Sequence, residues 1–127
     1  MLLYVVEGAV PILLGLLIWA DVLAIKKNHE KHKKVAMVHA VATWVSTLLL
    51  IVLIRLGFRL SENAPGWIQE VHQYIIFAVP PILLALALTG LYGKRALHLP
   101  VAALYVVSWI GALTTGGMMF AMARGWM

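Results

Sequence analysis

Histidines are the residues of this 127-residue chain with the widest chemistry to offer, and three of the five lie inside or beside long apolar stretches. His39 and His98 fall near one edge of the predicted membrane spans, and His72 falls near the other. Imidazole nitrogens ligate haem iron and divalent metal ions, and a carboxylate can bind the second ring nitrogen and fix its tautomer. We therefore predict that His39 and His98 bind haem or a metal ion, with Asp21 orienting either ring.

A structural role is the alternative interpretation of the same histidines. Each ring can donate a hydrogen bond to a main-chain carbonyl, or it can reach toward the lipid head groups. His29 and His32 fall in the predicted loop after the first span, where a solvated side chain is the simplest expectation. The residues alone leave both interpretations of His39 and His98 open.

A second polar group is predicted near the opposite edge of the spans, and it consists of Glu7, Arg55 and His72. Charges inside a membrane usually survive by pairing with one another. Glu7 and Arg55 are therefore expected to form an ion pair. His72 either joins that pair or binds a ligand.

Sulfur side chains cluster near the end of the chain, at Met118, Met119 and Met122. Thioether sulfur suits Cu(I), but methionine at helical spacing more commonly fills space between helices. Packing is the expected role, with copper binding as the alternative. Trp109, in the middle of the same apolar run, is expected to fill the core or to contact a flat ligand.

Four apolar runs must position these residues. Each holds about 20 residues or more, the length that crosses a bilayer core of roughly 30 Å as a helix. The runs are Leu2–Ile25, Val35–Leu56, Ile68–Tyr92 and Leu99–Ala123. Backbone groups in hydrocarbon need internal partners, and no run alternates with the period of a strand, so helices are predicted.

The short connections between the runs indicate antiparallel neighbours. The sequence therefore predicts an all-α fold, an up-down-up-down bundle of four transmembrane helices. We place the helices near residues 2–25, 35–60, 68–92 and 98–123, within a single integral membrane domain of residues 1–127. No internal repeat is evident in the sequence.

Helical spacing brings polar and small residues onto common faces. On the first helix the face is Glu7, Pro11, Leu14, Ile18 and Asp21; on the second it is His39, Thr43 and Ser46; on the fourth it is His98, Ala102, Tyr105, Trp109, Ala112 and Gly116. Small residues let helices approach closely. These faces are therefore expected to meet inside the bundle.

Composition narrows the classes of function. The chain is 63% hydrophobic and 12% charged and contains no cysteine, which excludes disulfides and thiolate metal sites. No nucleophile–base pair or phosphate-binding loop is present, so a non-enzymatic role is expected. The net charge of +5 is concentrated in two short loops, and we expect these to meet anionic lipid head groups rather than nucleic acid.

The basic residues also set a predicted orientation. Seven lie in the loops after the first and third runs, namely Lys26, Lys27, Lys31, Lys33, Lys34, Lys94 and Arg95, and three lie on the opposite side, namely Arg55, Arg59 and Arg124. Loops rich in lysine and arginine remain on the cytoplasmic side. Both termini are therefore expected on the non-cytoplasmic side.

A family resemblance extends roughly from Lys31 to the end of the chain. The motifs that carry it are Lys31-His32-Lys33-Lys34-Val35-Ala36-Met37, His72, Pro80-Pro81, His98, Leu104-Tyr105, Ser108 and Gly111. In this order they resemble the small bacterial membrane proteins of the CtaM/YozB type, also catalogued as domain of unknown function 420. The resemblance implies a multi-pass protein of the bacterial inner (cytoplasmic) membrane that assists assembly of a haem-copper oxidase.

The recurring histidines of that family would correspond to His32, His72 and His98, which makes His32 a candidate cofactor ligand as well. Three hypotheses of function remain. The first is an assembly or accessory protein of a respiratory oxidase that handles haem or copper. The second is a small cytochrome with haem b that transfers electrons. The third is a structural subunit, with lipid and other membrane protein subunits or further copies of itself as partners.

The predicted orientation can be tested by cysteine labelling. Cysteines introduced at Asn28 and Asn63 should react with a membrane-impermeant maleimide from opposite sides, with Asn63→Cys labelled in intact cells and Asn28→Cys only after lysis. Labelling of Asn28→Cys in intact cells would contradict the assignment.

Overall fold

The computed structural model describes the backbone of residues 2–57 and 64–127, and the side chains of residues 8–57 and 64–127. The described chain contains four α-helices and no strand. They are α1 (Leu2–Ile25), α2 (His29–Arg55), α3 (Gly66–Leu91) and α4 (Arg95–Ala123). All four are long and apolar enough to cross a membrane, by length and composition. The predicted fold class, an all-α protein of four transmembrane helices, is confirmed.

Three helices begin earlier than their apolar runs, and α3 does so by two residues, at Gly66. α2 begins at His29, six residues before the predicted start at residue 35, and α4 begins at Arg95 rather than at residue 98. The Asn28 side chain accepts a hydrogen bond from the Lys31 N–H at 3.4 Å and so caps α2. Glu30 lies in its first turn, where the helix dipole favours a negative charge. The apolar runs therefore located the spans and the bounds of α1, but not the residues at which α2, α3 and α4 begin.

The chain divides into two compact units, Met1–Gly57 and Phe58–Met127. The first unit contains α1 packed against α2. On α1 the buried residues are Leu13, Leu17, Ala20 and Leu23, and on α2 they are Val35, His39, Thr43, Thr47, Leu50 and Leu53. The face predicted for α1 is largely a different one, since Pro11 is exposed and Ile18 is 54% exposed. Apolar side chains and the small Ala20 decide which face of α1 contacts α2.

The second unit contains α3 packed against α4. Here the predicted α4 face is the one that packs, since Tyr105 and Trp109 are buried on it and Met119 extends it by one turn. The buried residues of α3 are Ile68, His72, Val79, Pro80 and Leu83. Tyr105 and Ile68 are the most enclosed large side chains of the described chain, each 1% exposed.

Both units turn from one helix to the next in the same way. After α1, the Asn28 N–H bonds the Leu23 carbonyl and the Lys27 N–H bonds the Ala24 carbonyl. After α3, Lys94 and Gly93 make the corresponding bonds to the carbonyls of residues 89 and 90. This pair of bonds is the Schellman motif, in which the residue after the C-cap adopts a left-handed conformation. Gly93 has φ +66°, and Lys27 has φ +57°.

Lys27 carries the strain of that position, because a side chain disfavours the left-handed region by roughly 1–2 kcal/mol. Lys27→Gly should therefore raise the free energy of unfolding by about 1 kcal/mol. The reciprocal change, Gly93→Ala, should lower it by a similar amount. Thermal unfolding in detergent, followed by circular dichroism, measures both. Destabilisation by Lys27→Gly would contradict the account of the turn.

Candidate histidine ligand sites

His39 lies in the interior of the first unit and bonds the neighbouring helix. Its Nδ1 lies 3.0 Å from the main-chain oxygen of Leu13 on α1, and the residue is 2% exposed. A carbonyl oxygen can only accept, so Nδ1 carries the proton and donates it. The Thr43 hydroxyl lies 3.4 Å from Nε2 on the other side of the ring, where it donates to the remaining lone pair. His39 is thus held at both nitrogens.

His32 repeats this interaction two helical turns earlier. Its Nδ1 lies 2.8 Å from the main-chain oxygen of Ala20, so it too donates from Nδ1 to α1. The ring is half-buried. His32 therefore does not lie in a solvated loop as expected from its polar neighbours. It is the fourth residue of α2 and faces α1.

His98 belongs to the second unit and also donates from Nδ1. This atom lies 3.1 Å from the main-chain oxygen of Leu86 and 3.1 Å from the hydroxyl oxygen of Thr89, both on α3. The Thr89 hydroxyl gives its own proton to the carbonyls of Ala85 and Leu86, at 2.9 and 3.0 Å. It can therefore only accept from the His98 ring. Both contacts assign the ring proton to Nδ1.

The ring of His72 bonds a threonine hydroxyl on the adjacent helix and not a main-chain carbonyl. Its Nδ1 lies 2.7 Å from the hydroxyl oxygen of Thr115 on α4. The Thr115 hydroxyl donates to the carbonyl of Gly111 at 2.8 Å, so it accepts from His72 as Thr89 accepts from His98. His72 is buried at 9% exposure. His72 therefore bonds the neighbouring helix and not a charged partner among the described residues.

The second unit repeats one arrangement at its two ends. Thr89-Gly90 follows His72 by 17 residues, and Thr115-Gly116 follows His98 by 17 residues. Because the helices are antiparallel, each histidine meets the Thr-Gly pair of the other helix. A Cβ on Gly90 would lie 3.1 Å from Cε1 of His98, and one on Gly116 would lie 3.0 Å from Cε1 of His72. The repeated Thr-Gly pair was the sequence signal for these contacts, and it was missed.

The four rings share one outcome. Each donates Nδ1–H to a carbonyl or a carbonyl-bonded hydroxyl of the adjacent helix, as the structural interpretation expects, and ligand binding by these histidines stays a prediction. The same bond fixes the tautomer and directs the lone pair of the neutral ring to Nε2, which is how proteins orient ligating histidines. Among the described residues, Nε2 of His32, His72 and His98 has no hydrogen-bond partner.

Other predicted site residues take different places. The Nδ1–H groups of His39 and His98 go to carbonyl oxygens, not to Asp21. His39 belongs to the first unit and His98 to the second, and the pairing between them stays a prediction. The Glu7 side chain lies outside the described residues, so its ion pair with the exposed Arg55 also stays a prediction.

The methionines near the end of α4 form an apolar cluster. Met119 is 3% exposed and packs with Ala64 and Ile68, and Met118 and Met122 pack against this group. This agrees with the expected packing role. Within the described part of the chain, no three side chains of histidine, aspartate or glutamate form a group that could hold a metal ion.

Comparison with known proteins found no matching family model, no matching curated protein and no matching solved structure. The arguments for function therefore rest on the residues and their geometry.

Adjacent glycines of α4 provide a test of the His72 contact. Gly116→Ala should lower the free energy of unfolding by about 1–3 kcal/mol, because its Cβ would press on a ring already held by Thr115. Gly117→Ala is the matched control, since nothing lies within 4 Å of its Cβ position. It should be neutral or stabilising by up to about 1 kcal/mol. Equal effects of the two changes in thermal unfolding would exclude the contact.

Proposed function

We propose that this protein is a non-enzymatic membrane protein that assists the assembly or function of a respiratory haem-copper oxidase and binds haem through histidines of its spans. The proposed location is the bacterial inner membrane, with the basic turns cytoplasmic and both termini outside. Its partners are lipid and other membrane protein subunits. The oxidase assignment rests on the resemblance of the motifs from Lys31 onward, and the haem assignment rests on the geometry of the histidines.

One observation carries the haem proposal, and it concerns the ring of His98. Its Nδ1–H is held by the Leu86 carbonyl and the Thr89 hydroxyl, and its Nε2 has no partner among the described residues. The ring is half-buried, so Nε2 is not deeply enclosed. A neutral imidazole with a fixed tautomer, in an apolar setting, is what an iron atom of haem requires as an axial ligand.

A bare metal ion fits the described residues less well than haem does. A structural or catalytic ion takes three or four protein ligands, and no such group is present in the described chain. In haem the porphyrin fills four positions of the iron, so one histidine is enough to hold it from the protein side. When bound, haem would supply the redox and ligand-exchange chemistry of its iron. The protein residues bind and orient it.

Two histidines of the same unit cannot ligate one iron. His32 and His39 are seven residues apart on α2, about 10 Å, and on α3 His72 lies 17 residues, about 25 Å, from Thr89, which bonds His98. An iron bound by two imidazoles would hold their nitrogens about 4 Å apart, because a metal–imidazole bond is roughly 2 Å long. Each unit by itself therefore offers single ligands.

A small b-type cytochrome is the second candidate function, and the same histidines favour it. The two functions differ in how haem is held. A cytochrome keeps its haem through purification and cycles between oxidised and reduced forms, whereas an assembly protein releases it to a partner. A structural subunit, the third hypothesis, would bind no haem, and its histidines would serve only to join helices.

The proposal predicts haem binding that depends on His98. Titration of ferric haem into the purified protein should give a saturable Soret band, and His98→Asn should remove about half of the bound haem at saturation or more. Asparagine is the informative change because its amide nitrogen takes about the place of Nδ1 and can still donate to Leu86, while nothing replaces Nε2. Thermal unfolding should therefore change little, and loss of haem can be separated from loss of fold.

The exposed His29 provides the matched control. Its side chain has no hydrogen bond among the described residues, and His29→Asn should bind haem as the unchanged protein does. His72→Asn should leave the haem at His98 in place, since the two rings lie at opposite ends of their hairpin. Absence of a Soret band in the unchanged protein would reject the haem proposal and favour the structural subunit.

A further inference from the structure

The two units have the same arrangement of two helices and a turn, which the sequence did not make evident. Adding 66 to a residue number of the first unit gives the corresponding residue of the second. The helix ends Ile25 and Leu91 correspond, and so do the left-handed residues Lys27 and Gly93. The following helices begin at corresponding positions, residues 29 and 95. The sequence shows no evident internal repeat, and the correspondence is one of structure.

The correspondence places a histidine at the same point of each hairpin. His32 is the fourth residue of α2, and His98 is the fourth residue of α4. Each donates Nδ1–H to the carbonyl of the residue five positions before the end of the preceding helix. These acceptors are Ala20, at 2.8 Å, and Leu86, at 3.1 Å. Among the four bonded histidines, only these two occupy corresponding positions.

The packed faces of the two hairpins correspond as well. Five pairs of residues that differ by 66 are buried in both units, namely Leu13 and Val79, Leu17 and Leu83, His39 and Tyr105, Thr43 and Trp109, and Leu53 and Met119. The deeper His39 thus has a tyrosine as its counterpart. The imidazole that both hairpins possess is the one beside the turn, not the deeper one.

The two turn histidines also share the properties of a ligand. Both rings are half-buried, and neither Nε2 has a hydrogen-bond partner among the described residues. His39, by contrast, is 2% exposed and has the Thr43 hydroxyl beside its Nε2. A ligand from outside the hairpin therefore reaches the turn histidines more readily than His39.

Exposed basic side chains lie close in sequence to both turn histidines. Lys31, Lys33 and Lys34 lie within two residues of His32 on α2, and Lys94 and Arg95 precede His98 by one helical turn. Haem carries two propionate carboxylates, and at the edge of a membrane these groups are attracted by lysine and arginine. Each turn therefore combines an imidazole for the iron with cations for the propionates.

We propose that His32 and His98 are equivalent haem ligands, one from the turn of each hairpin, and that His39 is a structural residue. This inference rests on the proposed function and names the residues that bind haem in it. Each ring would offer its Nε2 to the iron of a haem at its own turn, while its Nδ1–H stays on the carbonyl of the preceding helix. The lysine and arginine side chains near each turn would bind the propionates.

The test compares His32→Asn, His98→Asn, the double variant and His39→Asn in the full-length protein. Ferric haem is titrated into each protein in detergent, and the Soret absorbance gives the bound haem at saturation. We expect the two single turn variants to lose the same fraction of bound haem and the double variant to bind none. His39→Asn should bind as the unchanged protein does. Asparagine preserves the donor toward the carbonyl, and circular dichroism checks the fold of each variant.

The outcomes separate this inference from the function on which it rests. Haem binding that requires His98 and His39, with His32→Asn without effect, would overturn the inference and leave the proposed function standing. Unequal losses from His32→Asn and His98→Asn would overturn the equivalence in the same way. Lack of haem binding by the unchanged protein would reject both. Substitution of Lys94 and Arg95 by glutamine should weaken binding at His98 about tenfold, and an unchanged affinity would contradict the propionate contact.

Discussion

Each of these hairpins depends on hydrogen bonds from an imidazole N–H on one helix to a main-chain carbonyl or a threonine on the other. An N–H group in an apolar setting without a partner is costly, so it must find an acceptor within the hairpin. In the first unit His32 and His39 are seven residues apart, and so are their acceptors Ala20 and Leu13. Two such bonds fix the antiparallel register of α1 and α2.

The same bonds connect the fold with the proposed chemistry. A carbonyl oxygen accepts and cannot donate, so the choice of acceptor assigns the proton to Nδ1 and leaves the lone pair on Nε2. Helix pairing and ligand orientation are therefore two consequences of one contact. Glycine completes the arrangement in the second unit, because a Cβ at Gly90 or Gly116 would press on the ring that the threonine holds.

The two hairpins share the arrangement of their helices and turn but differ in the side chains at their buried positions. Tyr105 and Trp109 occupy the positions that His39 and Thr43 occupy in the first unit, so a polar pair corresponds to two large aromatic side chains. Positions 32 and 98 have the same residue type and the same kind of acceptor, although neighbouring positions differ between the two hairpins. This is the reason for proposing His32 and His98 as the haem ligands.

The sequence by itself determined the four spans, since about 20 apolar residues in a membrane have no alternative to a helix. It also determined that histidine is the residue type capable of holding a cofactor. It placed His32 in a loop, because apolarity marks the part of a helix inside the membrane and not its first residue. The helix α2 begins before its apolar run, after the Asn28 cap, and its first turns are polar. The sequence did not identify the hydrogen-bond acceptors of the histidines, because every residue has a main-chain carbonyl and the sequence does not mark one of them. Only the packing of α1 on α2 and of α3 on α4 decides which carbonyl or threonine meets a given ring. That choice depends on the shapes of residues such as Ala20, Gly90 and Gly116, which lie far from the histidines along the chain or on the opposite helix.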